Sequence, residues 1–155
     1  MLAVGSRAPE FTLADQDGRD RSLTSLLSDG SLILYFYPAD FTPGCTAEAC
    51  SLRDLHTDIQ RAGLRIAGVS PQDVASHKRF AQKYALKFTL LADPHKTVIK
   101  MYDVDGPMGI AVRRGTYLID QSRVIQDALL ADFRISRHED FVRKAVELRR
   151  APADR

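Results

Sequence analysis

Six consecutive apolar residues, Leu32-Ile33-Leu34-Tyr35-Phe36-Tyr37, constrain the fold more than any other stretch of the chain. A strand with one face in water alternates apolar and polar side chains. A run with none that is polar belongs to a central strand covered on both sides. Pro38 ends the run, since it has no N–H to give to a ladder. Cover on both faces of a sheet comes from helices, so the run directs the reading to a layered α/β fold.

The remaining periodicity agrees with that reading. Gln16-Asp17-Gly18-Arg19 is a turn between short extended pieces, with Asp-Gly the usual hairpin chemistry. Pro43-Gly44 marks a tight loop, and residues 45–61 are helical, with Leu52, Leu55 and Ile59 at three- and four-residue spacings. Residues 64–69 form a strand, and residues 73–84 a helix with Val74, His77, Phe80, Ala81 and Tyr84 on one face. Residues 88–91 form a short strand. Asp93-Pro94 predicts an N-cap and first position of a helix running to about Tyr102. After a loop at 104–109 come strands 115–119 and 124–128. Residues 136–149 close the chain as an amphipathic helix, with Phe141, Val142, Ala145 and Leu148 inward and a Ser136–Glu139 capping box. The order describes a mixed sheet flanked by helices, and the thioredoxin-like fold is the commonest small architecture of that kind. One domain covers residues 1–148, and the polar tail 149–155 is expected to fray.

Composition excludes several function classes. The 155 residues carry 22 Lys plus Arg and 20 Asp plus Glu, a formal charge of +2, which is too even for a nucleic-acid or membrane surface. No apolar stretch approaches the ~18 residues of a membrane helix, and the N-terminus lacks the basic and apolar regions of a secretory signal. The expectation is a cytoplasmic protein. Two cysteines, Cys45 and Cys50, are too few for a disulfide scaffold, so their placement carries the chemical information.

Cys45 follows a Pro-Gly loop and opens a helix, where free N–H groups and the positive end of the helix dipole favour a thiolate. The hydroxyl of Thr42 lies within reach of the sulfur or of a bound oxygen. The plainer reading of Cys45 is a small buried apolar residue; its position after Thr-Pro-Gly, outside any periodic apolar face, speaks for reactivity. Cys50 lies five residues on. In an unbroken helix that separation is a rotation of about 140° and a Cα distance of over ~8 Å. A disulfide needs Cα atoms within about 7 Å, so if Cys50 serves Cys45 the first turns must unwind. Beside Ala47, Leu52 and Leu55, Cys50 also reads as a core position. The cysteine spacing and the four histidines, His56, His77, His95 and His138, give no zinc pattern, and no metal is expected. His77, on the apolar face of its helix, reads as a packed or capping histidine.

The segment Phe36-Tyr37-Pro38-Ala39-Asp40-Phe41-Thr42-Pro43-Gly44-Cys45-Thr46-Ala47-Glu48 resembles the peroxidatic motif of the peroxiredoxins, Pro-x-x-x-Thr-x-x-Cys. Cys50 is similar to the resolving position of the bacterioferritin comigratory protein (PrxQ-like) subfamily. The likeness extends from Val4 to Leu13, through Gly68-Val69-Ser70 and residues 88–94, to Thr116-Tyr117-Leu118-Ile119-Asp120. The resemblance implies that Cys45 attacks the O–O bond of a hydroperoxide, that Thr42 hydrogen-bonds thiolate and peroxide, and that Pro38 shields the sulfur. It places the family's arginine at Arg114, two residues before Thr116. The neighbouring Arg113 would point to the other face by strand alternation. Gly44 stands in the motif loop, and Glu48 matches a polar position that orients the arginine, with an exposed helix residue as the rival reading.

The resemblance further implies a peroxidase without a cofactor, forming a transient Cys45–Cys50 disulfide that thioredoxin or a similar dithiol reduces, and acting as a monomer. Three other readings compete with it: a thiol–disulfide oxidoreductase, against which the lack of Cys-x-x-Cys speaks; a non-catalytic binding module; and a peroxidase using Cys45 alone.

Overall fold

The computed structural model describes residues 1–150. The expected tail falls largely at 151–155, outside the described residues, while Arg149 and Arg150 still belong to the closing helix. Strands β1 (Thr12–Asp15) and β2 (Asp20–Ser22) form the hairpin around Asp17-Gly18. Helix α1 (Leu23–Leu26), one turn capped by Ser22, was not foreshadowed by the periodicity. Then come β3 (Ser31–Phe36), α2 (Pro43–Asp54), α3 (His56–Arg61), β4 (Leu64–Ser70), α4 (Val74–Tyr84) and β5 (Thr89–Ala92). The chain finishes with α5 (Thr97–Met101), β6 (Gly115–Ile119), β7 (Ile125–Leu130) and α6 (Ile135–Arg150).

The seven strands make one sheet in the order β2-β1-β5-β4-β3-β6-β7, with β3, β4 and β5 parallel and the other pairings antiparallel. As the apolar run requires, β3 lies inside the sheet and every one of its residues is buried. Its alternation divides two cores. Leu32, Leu34 and Phe36 face Leu23 and Leu26 of α1 and Val98 and Ile99 of α5. Ile33, Tyr35 and Tyr37 face residues of α2, α3, α4 and α6, and Cys45 belongs to this second core. The arrangement is the thioredoxin-like α/β fold expected from the sequence.

Four local expectations are corrected. The helix expected over 45–61 starts earlier, with Thr42 as N-cap and Pro43 in its first turn, and it kinks at Leu55, whose ψ of −3° divides α2 from α3. Leu52, Leu55 and Ile59 are all buried, as their three- and four-residue spacing requires, and the face they share is kept across the kink. Helix α5 starts at Thr97 rather than at Pro94. Asp93 to Lys96 form a turn closed by Lys96 N–H to the Asp93 carbonyl, and the Asp93 carboxylate accepts from the Ile99 amide instead. Helix α6 starts at Ile135, which puts Ser136 inside its first turn; Glu139 pairs with Arg143 rather than closing a capping box. Leu148 is 63% exposed, because the inward stripe runs through His138, Val142, Ala145 and Val146. Among the described residues no helix is long and apolar enough to cross a membrane.

Candidate active site

The site lies where the β3–α2 loop, the start of β6 and the start of α6 meet. Pro43 suits the first helical position, having no N–H to leave unpaired there, so the loop passes into α2 without delay. Cys45 thus sits in the first turn, where backbone N–H groups are free of intrahelical partners and the positive dipole end faces the sulfur. It is 1% exposed, and the plainer reading is correct in one respect: the thiol lies within the apolar core. A cation nonetheless reaches it. Arg114 Nη2 donates to Cys45 Sγ at 3.0 Å, and Nη1 donates to Glu48 Oε1 at 3.1 Å. Both cysteines are free, and Cys50 is half-buried one turn further along the helix.

The extended backbone leading into β6 sends the two arginines to opposite sides. Arg114 turns inward and is 8% exposed, while Arg113 turns out and pairs with Asp132 through Nε and Nη2, at 3.1 and 2.8 Å. Asp132 serves both residues, since its Oδ1 accepts the Arg114 amide at 3.0 Å. Its partial burial works against ionisation, but the bonds from Arg113 and from that amide hold its carboxyl below the usual range. Gly44 is what brings α2 close to the arginine. A Cβ there would lie 2.9 Å from Arg114 Nη2 and 2.9 Å from Ile135 Cδ1.

Glu48 is buried, so the rival reading of an exposed helix residue does not hold. Burial pushes its carboxyl up to about 7, against the pull of the Arg114 guanidinium. Its Oε2 has no hydrogen-bond partner and lies 3.9 Å from His138 Nδ1. His138, on α6, was not singled out from the sequence as a site residue. Its Nε2 faces the Ala131 carbonyl at 2.8 Å, so that nitrogen carries the proton, and Nδ1 accepts from the Thr116 hydroxyl at 2.8 Å. Burial above all holds this histidine below its usual pKa.

Thr42 and Pro38 stand differently. Thr42 is exposed and its hydroxyl donates to the Ala39 carbonyl at 3.0 Å, so its one proton is directed within the loop rather than to the sulfur. Pro38 is half-buried and, with Arg114, lines an apolar groove that opens beside the site. The loop between them is anchored from beneath by a network that sequence reading missed. Asp40 accepts from Tyr37 Oη at 2.7 Å and Ser76 Oγ at 2.7 Å, and its Oδ2 lies 2.7 Å from His77 Nδ1. Burial alone would push the Asp40 carboxyl up, but these bonds hold it below its usual range. His77 is completed by the Leu91 carbonyl, 3.0 Å from Nε2, and is the packed histidine the sequence suggested. Among the described residues, no group of three or more His, Cys, Asp or Glu side chains is placed to hold a metal ion.

A thiol beside a guanidinium at a helix start is arranged for nucleophilic redox chemistry. Comparison with known proteins gives the same direction. The model of the AhpC/TSA family matches residues 4–128. The chain belongs to that family. Within it, the chain is similar to peroxiredoxin Q proteins named as chloroplastic. It is 44% identical over 138 residues to that of Oryza sativa subsp. japonica, covering 88% of this chain and 63% of the relative. With that of Sedum lineare it shares 41% over 147 residues, covering 94% and 78%. The chain therefore spans less than two thirds of the rice relative's length, but over three quarters of the other. Among solved structures, the peroxidoxin BcpB of Mycobacterium tuberculosis superposes with a TM-score of 0.89 at 34% identity, covering 96% of this chain and 98% of that one. Peroxiredoxin Q of Xanthomonas campestris gives 0.82 at 28%, with 89% and 90% covered. This family membership agrees with the resemblance read from the residues around Cys45.

Proposed function

We propose that the protein is a thiol-dependent peroxidase that reduces hydrogen peroxide and organic hydroperoxides, and so contributes to antioxidant defence. The observation that carries the reading is the buried contact of 3.0 Å between Arg114 Nη2 and Cys45 Sγ. A guanidinium there stabilises negative charge on the sulfur and on the oxygen that leaves. The Cys45 thiolate attacks the terminal oxygen of R–O–O–H. An S–O bond forms, the O–O bond breaks, the sulfur is oxidised by two electrons to sulfenic acid, and the alkoxide or hydroxide takes up a proton. A relative from Xanthomonas campestris, a bacterioferritin comigratory protein, is described as having alkyl peroxide reduction activity, which supports the same chemistry here.

Resolution by Cys50 is consistent with its place on α2. The first turns unwind, the Cys50 thiol displaces water from the sulfenic acid, and an intramolecular disulfide forms. A dithiol such as thioredoxin reduces it by exchange, restoring both thiols. Two electrons pass from the Cys45 sulfur to the peroxide and are restored by thiol–disulfide exchange, so the cycle needs no metal or organic cofactor. The test is stopped-flow mixing of reduced protein with hydrogen peroxide. Wild type is expected to consume peroxide rapidly and Cys45→Ser to lose that reaction; equal rates would overturn the proposal.

A further inference from the structure

The groove beside the site has a volume of about 590 Å³, and Pro38, Pro107, Ile110, Arg114 and Phe133 are among the residues that line it. Its apolar lining is open to water: Ile110 is 70% exposed and Phe133 96%, and Met108, which follows Pro107 in the chain, is 96% exposed. Large apolar side chains gathered at one place on a surface mark a binding site more often than chance exposure does. The Phe133 wall is fixed by Asp132, its neighbour, which holds Arg113 and the Arg114 amide.

The Ile110 wall is fixed by a lysine from elsewhere. Lys96 Nζ donates to Asp105 Oδ1 at 3.1 Å, to the Gly109 carbonyl at 2.8 Å and to the Ala111 carbonyl at 3.1 Å. An ammonium has three N–H groups, and all are engaged with this one loop. The loop needs the support: Met108, Gly109 and Ala111 all have left-handed backbones, at φ 57°, 73° and 64°. Lys96 itself stands at φ 58°, where glycine is the easiest residue to place. A long side chain there is accounted for by the loop it clamps.

We propose that Lys96 determines specificity, by holding the Ile110 wall of an apolar subsite that takes the organic group of a hydroperoxide reacting at Cys45. The inference rests on the peroxidase reading. Its occupant is identified by continuity with the reacting atoms. Arg114 touches the sulfur and lines the groove, so an alkoxide leaving beside Arg114 carries its organic group into the groove. Hydrogen peroxide has no such group and makes no use of the subsite.

The test compares kcat/KM for cumene hydroperoxide with that for hydrogen peroxide in wild type, Lys96→Gly and Ile110→Ser. Glycine suits the backbone at position 96, so the first variant removes the clamp without adding strain, and thermal melts check both folds. The ratio of organic to hydrogen peroxide is expected to fall about tenfold in each, the scale of losing part of an apolar pocket. A ratio that falls for Ile110→Ser but not for Lys96→Gly would overturn the assignment of Lys96. Unchanged ratios, with a wild-type dimer that Ile110→Ser dissociates in sedimentation, would overturn the subsite and give the patch to a second copy of the chain. Wild type inert to both peroxides would instead overturn the underlying peroxidase reading.

Discussion

At the start of α2 the missing Cβ of Gly44 is what admits Arg114 to the sulfur. The atoms an alanine would meet, Arg114 Nη2 and Ile135 Cδ1 at 2.9 Å each, are ends of flexible side chains, so they can yield. Yielding moves the guanidinium away from Cys45. Gly44→Ala should therefore keep or slightly raise the melting temperature, because alanine is favoured over glycine within a helix by roughly 0.5–1 kcal/mol. Its rate with hydrogen peroxide should fall about tenfold or more, equivalent to ~1.4 kcal/mol of lost stabilisation. An unchanged rate would mean that the contact with Arg114 is dispensable. Glu48 makes a second prediction. Its carboxyl stands at about 7 in the folded protein, raised by burial from 4.5. A raised acid stabilises the fold fully below about pH 4.5, and that contribution is lost as pH rises through 7. Wild type should lose on the order of 1–3 kcal/mol between pH 5 and pH 8 from this group. Glu48→Gln has no such proton to lose and should show a smaller drop. Urea unfolding of both proteins at the two pH values checks it; equal drops would contradict the burial argument.

At the scale of elements, α2 has unequal ends. Beyond Cys50, Leu52 is buried in the core and Arg53 Nη1 donates to the Tyr84 carbonyl of α4 at 2.8 Å. Before Cys45, the loop is held at Asp40 by His77, Tyr37 and Ser76. In the proposed cycle, unwinding is thereby confined to the few residues between these anchors, the stretch a Cys45–Cys50 disulfide would require. Hydrogen exchange should show faster amides over residues 43–50 after oxidation, with little change in β3; protection retained there in a disulfide-bonded sample would contradict it. Asp40→Ala should destabilise the fold by about 2–4 kcal/mol in urea unfolding, since it leaves buried partners unpaired. How far the elements were legible in the sequence varied for physical reasons. The apolar run at β3 and the motif through Cys45 are local signals, and Arg114 was located by its place before Thr116 in the resemblance. The kink at Leu55 and the delayed start of α5 were not legible, because they depend on what the helices pack against. Asp40–His77 and Glu48–His138 join residues far apart in sequence, so no local spacing marks them. Thr42 was legible as a loop hydroxyl, but its bond to Ala39 depends on the loop's exact course.

For the molecule as a whole, the sheet holds two cores apart and places the cysteine in the one that α2 and α6 share. Burial in that core keeps water from the sulfur, and Arg114 supplies the opposite charge that offsets the cost of negative charge there. The same helix that positions Cys45 separates it from Cys50, so the proposed cycle of oxidation and resolution calls for two conformations of one element. The measurement closest to this claim is the intact mass of reduced protein after one equivalent of hydrogen peroxide, with thiol alkylation. Wild type is expected to become two hydrogens lighter and to lose both alkylatable thiols, while Cys50→Ser should gain one oxygen at Cys45 instead. Wild type that keeps both thiols while peroxide persists would contradict the account.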